Sequence, residues 1–276
     1  MKKTIRKTFV YIFLLLIVLC IMLPVFTMIT TAFKSSNELY LGNSFFPKHP
    51  TIEKFLYVIK FQDGLFLRGL ANSTLVGLVV IAVLIPVSAL AGYALARFKG
   101  RIFRAYSSLL LVLYMLPISL ALLPLFTVFK TINVLDTPTA LFLAYMMMSV
   151  PFAVWMFKGF VASIPVELEE AAMIDGCSKF GAFCRVILPL TGPGIASISI
   201  YTFLSCWSEY LMSSVFVKDK TLQTATVMIQ FFKQEQYADW GALMAAATMN
   251  CIPAILLLLF AQKYIVAGIT AGSVKG

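Results

Sequence analysis

With 61% of its 276 residues hydrophobic and only 12% charged, the chain carries more apolar surface than one soluble core can bury, and its mean hydropathy of +0.92 agrees. The formal charge of +10 would suit nucleic acid, but the basic residues cluster between long apolar runs rather than along one soluble face. Lipid headgroups and membrane orientation account for them instead, and no nucleic-acid partner is expected.

The predicted elements follow from uncharged stretches near the length of about 20 residues that crosses a hydrocarbon core. They cover 8–33, 71–96, 105–129, 137–157, 186–217 (interrupted only by Glu209) and 241–262. The first follows Lys2, Lys3, Arg6 and Lys7 but is too long for a cleavable signal and reads as a retained helix. The fold class is therefore all-α: a polytopic membrane protein with about six transmembrane helices.

Arg97, Lys99, Arg101 and Arg104 fill the short loop after the second span, while Lys158, Lys179 and Arg185 lie between the fourth and fifth. With the basic N-terminus and Lys263 and Lys275 near the end, they fall on one side if both termini are cytoplasmic. Trp240 then sits at the outer interface. Prolines at 24, 86, 117, 124, 151, 193 and 253 suit kinked helices around a cavity, although proline is common in membrane helices generally.

Cysteines 20, 177, 184, 206 and 251 form no C-x-x-C pair, and His49 is the single histidine, so no Cys/His metal cluster can be assembled. The cysteines read as small packing residues.

One polar stretch, 163–190, is neither a span nor a simple connection. Pro165 suits a first helical turn, and Glu167, Glu169 and Glu170 complement a helix N-terminus. Gly176 permits a left-handed turn into a second short helix over 178–187, and Pro189 lets the chain turn into the fifth span. The expected product is a cytoplasmic helix–turn–helix. It could rest on lipid, but the acids at 167, 169, 170 and 175 would oppose anionic headgroups, which favours docking to a protein groove.

Glu170-Ala171-Ala172, Asp175-Gly176 and Leu188-Pro189 resemble the E-A-A, G and L-P pattern of permease subunits of binding-protein-dependent ABC importers, with Val186 where isoleucine is usual. Asn72-Ser73-Thr74, Ala94-Leu95-Ala96-Arg97-Phe98 and Phe203 with Trp207-Ser208-Glu209 resemble the carbohydrate-uptake branch, Ser208 departing from asparagine. The ending over 268–276, G-I-T-A-G-S-V-K-G, resembles the maltose-type permeases.

The resemblance implies a transport subunit of a prokaryotic plasma membrane, working beside a second homologous permease, a cytoplasmic ABC ATPase dimer and an extracytoplasmic sugar-binding protein. Glu169, Glu170, Ala171, Ala172, Asp175, Gly176, Leu188 and Pro189 would form the ATPase-docking segment. No cofactor is expected on this chain. ATP and Mg would belong to the ATPase, since the sequence has no G-x-x-x-x-G-K-[ST] loop.

Glu209, the one acid inside a span, reads equally as a pathway residue or as a structural hydrogen bond. Trp207, Ser208 and Tyr210 beside it, Asn250 in the sixth span and Tyr114 in the third are further pathway candidates. A secondary transporter driven by an ion gradient would need buried coupling acids, of which Glu209 is the sole one available. A membrane enzyme would need a catalytic cluster, and an insertase leaves 170–189 unexplained.

Overall fold

Long runs of Leu, Ile, Val and Phe without charge leave the backbone no water to bond, so it closes on itself as helix. The computed structural model describes residues 2–42, 44–233 and 239–273. Among the described residues, four helices are long and apolar enough to cross a membrane. These are α1 (Lys2–Ala32), α4 (Leu65–Arg97), α7 (Pro138–Ala162) and α14 (Trp240–Ser273). Two bent pairs raise the number to as many as six. Short helices α2 (Ser36–Leu41) and α3 (Glu53–Lys60) follow α1.

The bent pairs correct two expected continuous spans. The third consists of α5 (Arg101–Met115) and α6 (Ile118–Thr131), bent by 97°. Pro117 forces Leu116 into extended backbone and supplies no amide, which ends α5. The fifth bends by 70° between the run Lys179–Leu190 and α11 (Gly192–Ser208), at Thr191 ahead of Gly192-Pro193. It also ends at Ser208. Glu209 is extended, and α12 (Leu211–Phe216) begins afresh. A single helix over 186–217 is therefore replaced by three pieces.

The chain divides into two units, residues 1–67 with 228–252 and residues 68–227 with 253–276. In the first, Lys54 and Asp239 form an ion pair at 2.9 Å, and Phe232 packs against Phe61 with ring centroids 4.8 Å apart. Helix α13 (Ala225–Ile229) and a 3-10 turn (Gln230–Phe232) lead to that contact. Glu38 gathers the loop after α2, accepting from the Lys48 amide at 2.7 Å and the Ser44 hydroxyl at 3.0 Å. These bonds, the Lys48 amide foremost, hold its carboxyl below the usual carboxylate range.

The second unit has two cores. One gathers Val76, Val80, Leu141, Tyr145, Met212 and Phe216, and the other Leu84, Tyr93, Phe157, Phe183, Ile187 and Ile198. Small residues let helices approach. A Cβ at Gly92 would lie 2.8 Å from the Lys158 amide nitrogen, and one at Gly194 would collide with the Phe160 ring. The Asn72-Ser73-Thr74 signature is tied down here: Asn72 donates to the carbonyls of Thr221 (2.9 Å) and Gln223 (3.0 Å), and the Ser73 hydroxyl accepts from the Ala225 amide at 2.9 Å. Of the maltose-type ending, residues 274–276 lie outside the described residues.

Candidate functional site

The 163–190 stretch forms the expected helix–turn–helix, with local differences. Helix α8 is Glu167–Ile174, so Pro165 lies before its first turn rather than inside it. Its end is a Schellman motif: the Cys177 amide donates to the Ala172 carbonyl at 3.0 Å and the Gly176 amide to Met173 at 3.1 Å. That geometry needs a left-handed residue, and Gly176 supplies it with φ of +87°.

Ser178 then caps α9 (Lys179–Ala182), its hydroxyl accepting from the Gly181 amide at 3.1 Å. The predicted second helix is interrupted by a π turn over Phe183–Ile187 before α10 (Leu188–Leu190). Pro189 gives Arg185 no amide to bond, which removes the local reason for regular α geometry there. Phe183 and Ile187 are buried, Leu188 is half-buried and Pro189 exposed, so the second half of the segment roots it in the core.

The acids of α8 divide by face. Glu167, Glu170 and Asp175 are exposed, whereas Glu169 is 4% exposed and turned inward. Its carboxylate pairs with Arg97 Nε and accepts from the Tyr93 hydroxyl at 2.8 Å. Arg97 also donates through Nη2 to the Ile164 carbonyl at 3.0 Å. One guanidinium at the end of α4 thus grips both the lead-in and the first turn of α8. For Glu169 this is a correction: its side chain holds the ledge in place from inside and does not line the outer face.

The outer face is partly apolar. Ile174 is 86% exposed, and Leu168 and Met173 stand out beside it. Sequence reading missed these three because a motif of charges and small residues drew attention away from the apolar positions between them.

Within the second unit the pathway candidates sit in different surroundings. Trp207 is buried and stacks on Phe203 with centroids 5.5 Å apart. The Ser208 hydroxyl bonds back to the Leu204 carbonyl at 2.9 Å, as a helical serine does. Glu209 accepts from the Met212 amide at 2.9 Å, the Ser213 amide at 3.3 Å and the Tyr145 hydroxyl at 3.3 Å. Of its two readings, the structural one is the one these contacts fill: the carboxylate caps α12 across the break. Tyr210 is 40% exposed, and Asn250 lies half-buried in α14, in the other unit.

Tyr114 behaves differently. Its hydroxyl meets that of Tyr201 at 2.9 Å, and the Phe152 ring packs against both, with centroids 5.3 Å from Tyr114 and 4.1 Å from Tyr201. A cavity of about 350 Å³ beside the α5–α6 break is lined by Tyr114, Pro117, Met147 and Pro151. Tyr201 and Phe152 were not singled out from sequence, since nothing local marks an aromatic in an apolar span as part of a cluster.

The geometry is that of a broken-helix membrane fold carrying a capped surface ledge. Residues 84–271 match the model of the binding-protein-dependent transport system inner membrane component, and the chain belongs to that family. It is 35% identical to the sulfoquinovosyl glycerol transport system permease protein SmoH of Agrobacterium fabrum, over 92% of this chain and 88% of that one. It is also 35% identical to the diacetylchitobiose uptake system permease protein DasC of Streptomyces coelicolor, over 92% and 91%. A bacterial ABC transporter involved in import of the acidic polysaccharide alginate shares its fold, with TM-score 0.79 and 20% identity over 95% and 97% of the two chains. The ion-gradient alternative finds no support in these matches.

Proposed function

We propose that this chain forms half of the translocation pathway of an ATP-driven carbohydrate importer in a prokaryotic inner membrane, with both termini cytoplasmic. The observation that carries the coupling role is the ledge itself: α8 ends in a glycine-dependent turn, presents Ile174 outward and is held from inside by Arg97 and Glu169. Exposed Glu170 and Asp175 with small Ala171 and Ala172 fit insertion into a groove of a soluble ATPase.

ATP and Mg would bind that ATPase, and closure of its dimer would move two ledges, one from this chain and one from a second permease. An extracytoplasmic binding protein would deliver the sugar. Relatives named for glycosylated or oligosaccharide cargo support the substrate class, and the exposed Tyr114–Tyr201 pair with Phe152 offers aromatic faces and hydroxyls of the kind a sugar uses.

The test is reconstitution of the full complex in vesicles with a panel of loaded sugar-binding proteins. ATP hydrolysis that rises with one loaded binding protein, together with sugar entry, supports the reading. Hydrolysis and entry that respond to none of them, with uptake driven by a proton or sodium gradient, would overturn it.

A further inference from the structure

At the end of the membrane where α8 lies, the turn from α4 to α5 leaves a cavity of about 450 Å³. Three cations line it, Lys99, Arg104 and Lys158, and its described lining contains no carboxylate. Glu169, the acid held nearest the end of α4, is already engaged by Arg97 and Tyr93. Lys158 lies about one helical turn inside the end of α7, half-buried, and its ammonium donates to the buried Ser107 hydroxyl at 2.6 Å. A neutral hydroxyl satisfies one of its three protons and none of its charge.

The cavity's other wall is apolar. Phe98 and Phe103 stack with centroids 5.5 Å apart, and Lys179 Nζ lies over the Phe98 ring, 4.4 Å from its centroid. Beyond the cavity the outward side chains of the adjoining helices, Leu90 on α4 and Ile102 and Tyr106 on α5, are about half or more exposed.

We infer that this cavity is a binding site for the phosphate diester of an anionic phospholipid. Three cations without a counter-ion call for an anion, and their depth is that of the headgroups, just outside the apolar spans. The exposed apolar side chains below give acyl chains a surface to lie on, which a free phosphate would not use. The lipid supplies the negative charge that the protein omits from the lining. This inference rests on the membrane placement of the chain and not on the cargo of the importer.

The test uses the complete permease complex in mild detergent, titrated with phosphatidylglycerol or phosphatidylcholine, with bound lipid counted by native mass spectrometry. Phosphatidylglycerol is expected to bind saturably and phosphatidylcholine at least tenfold more weakly. Lys158→Met should weaken phosphatidylglycerol about tenfold while Lys158→Arg retains it. The surface double variant K99Q/R104Q, which leaves the core untouched, should weaken it similarly. Equal binding of both lipids, unchanged binding in both the Lys158→Met and double variants, or full displacement of phosphatidylglycerol by millimolar inorganic phosphate would overturn the assignment. So would a cross-link from Lys99 to an acidic segment of a partner protein in place of bound lipid.

Discussion

Glu169→Ala removes one partner of an ion pair whose side chains are 6% and 8% exposed, and leaves the Arg97 guanidinium with only the Ile164 carbonyl. Breaking a buried pair from one side costs about 3–5 kcal/mol, because the surviving charge stays desolvated. At about 1.4 kcal/mol per factor of ten, the ledge should open at least a hundredfold more often. Tyr93→Phe removes one hydrogen bond to a charged acceptor, worth about 1.5–3 kcal/mol, and should rank below it. The double variant R97M/E169M removes both charges, and apolar replacement of a whole buried pair is often close to neutral. The assay is amide hydrogen exchange over 164–178 in the purified complex. Faster exchange in Glu169→Ala, with recovery in R97M/E169M, is expected. Wild-type exchange in Glu169→Ala, or a double variant as loose as the single, would refute the idea that this pair fixes the ledge.

Three further outcomes follow from the geometry. Glu209→Ala strips acceptors from the Met212 and Ser213 amides and should cost about 1–3 kcal/mol, lowering the melting temperature of the complex more than Glu209→Gln does; a raised KM for sugar with unchanged melting would mark Glu209 as a substrate ligand instead. Gly92→Ala should destabilise by about 1–3 kcal/mol, because the new methyl would meet the α7 backbone at Lys158 rather than a flexible side chain, and melting unchanged from wild type would count against that packing. Glu38 has a depressed folded pKa, so the order it lends the Ser44–Lys48 loop is complete above the unfolded value of about 4.3 and is lost as pH falls through the lower folded value. Limited proteolysis of that loop should accelerate only as pH falls below that unfolded value, and Glu38→Gln should abolish the transition.

Much of the fold was legible because apolar run length is a strong signal: α4, α7 and α14 each meet a predicted span to within one residue at one end, and each runs on beyond it at the other. The breaks were less legible. Seven prolines in the spans look alike in sequence, yet Pro86, Pro151 and Pro253 sit inside continuous helices while Pro117 ends one. Pro24 likewise sits inside continuous α1, so a proline in an apolar run does not by itself mark a break.

The ledge was readable because Gly176, Ser178 and the acids of α8 each have a local job. Glu169 was misjudged on the same evidence, since its partner Arg97 lies 72 residues away and its inward orientation is a tertiary fact. The Tyr114–Tyr201 contact spans 87 residues and was hidden for the same reason.

The central claim is that the ledge docks an ATPase, and Gly176 offers the most direct test. Nothing lies within 4 Å of where its Cβ would be, so a side chain there acts through backbone strain and not through a clash. A β-branched residue at φ of +87° should disfavour the turn by at least about 1–2 kcal/mol, while asparagine tolerates that region. The measurement is co-purification from native membranes with a tag on this chain. An ATPase and a second permease should accompany the wild type and Gly176→Asn, with the ATPase lost from Gly176→Val. A tagged chain that purifies alone in all three, or an ATPase that stays bound in Gly176→Val, would contradict the account.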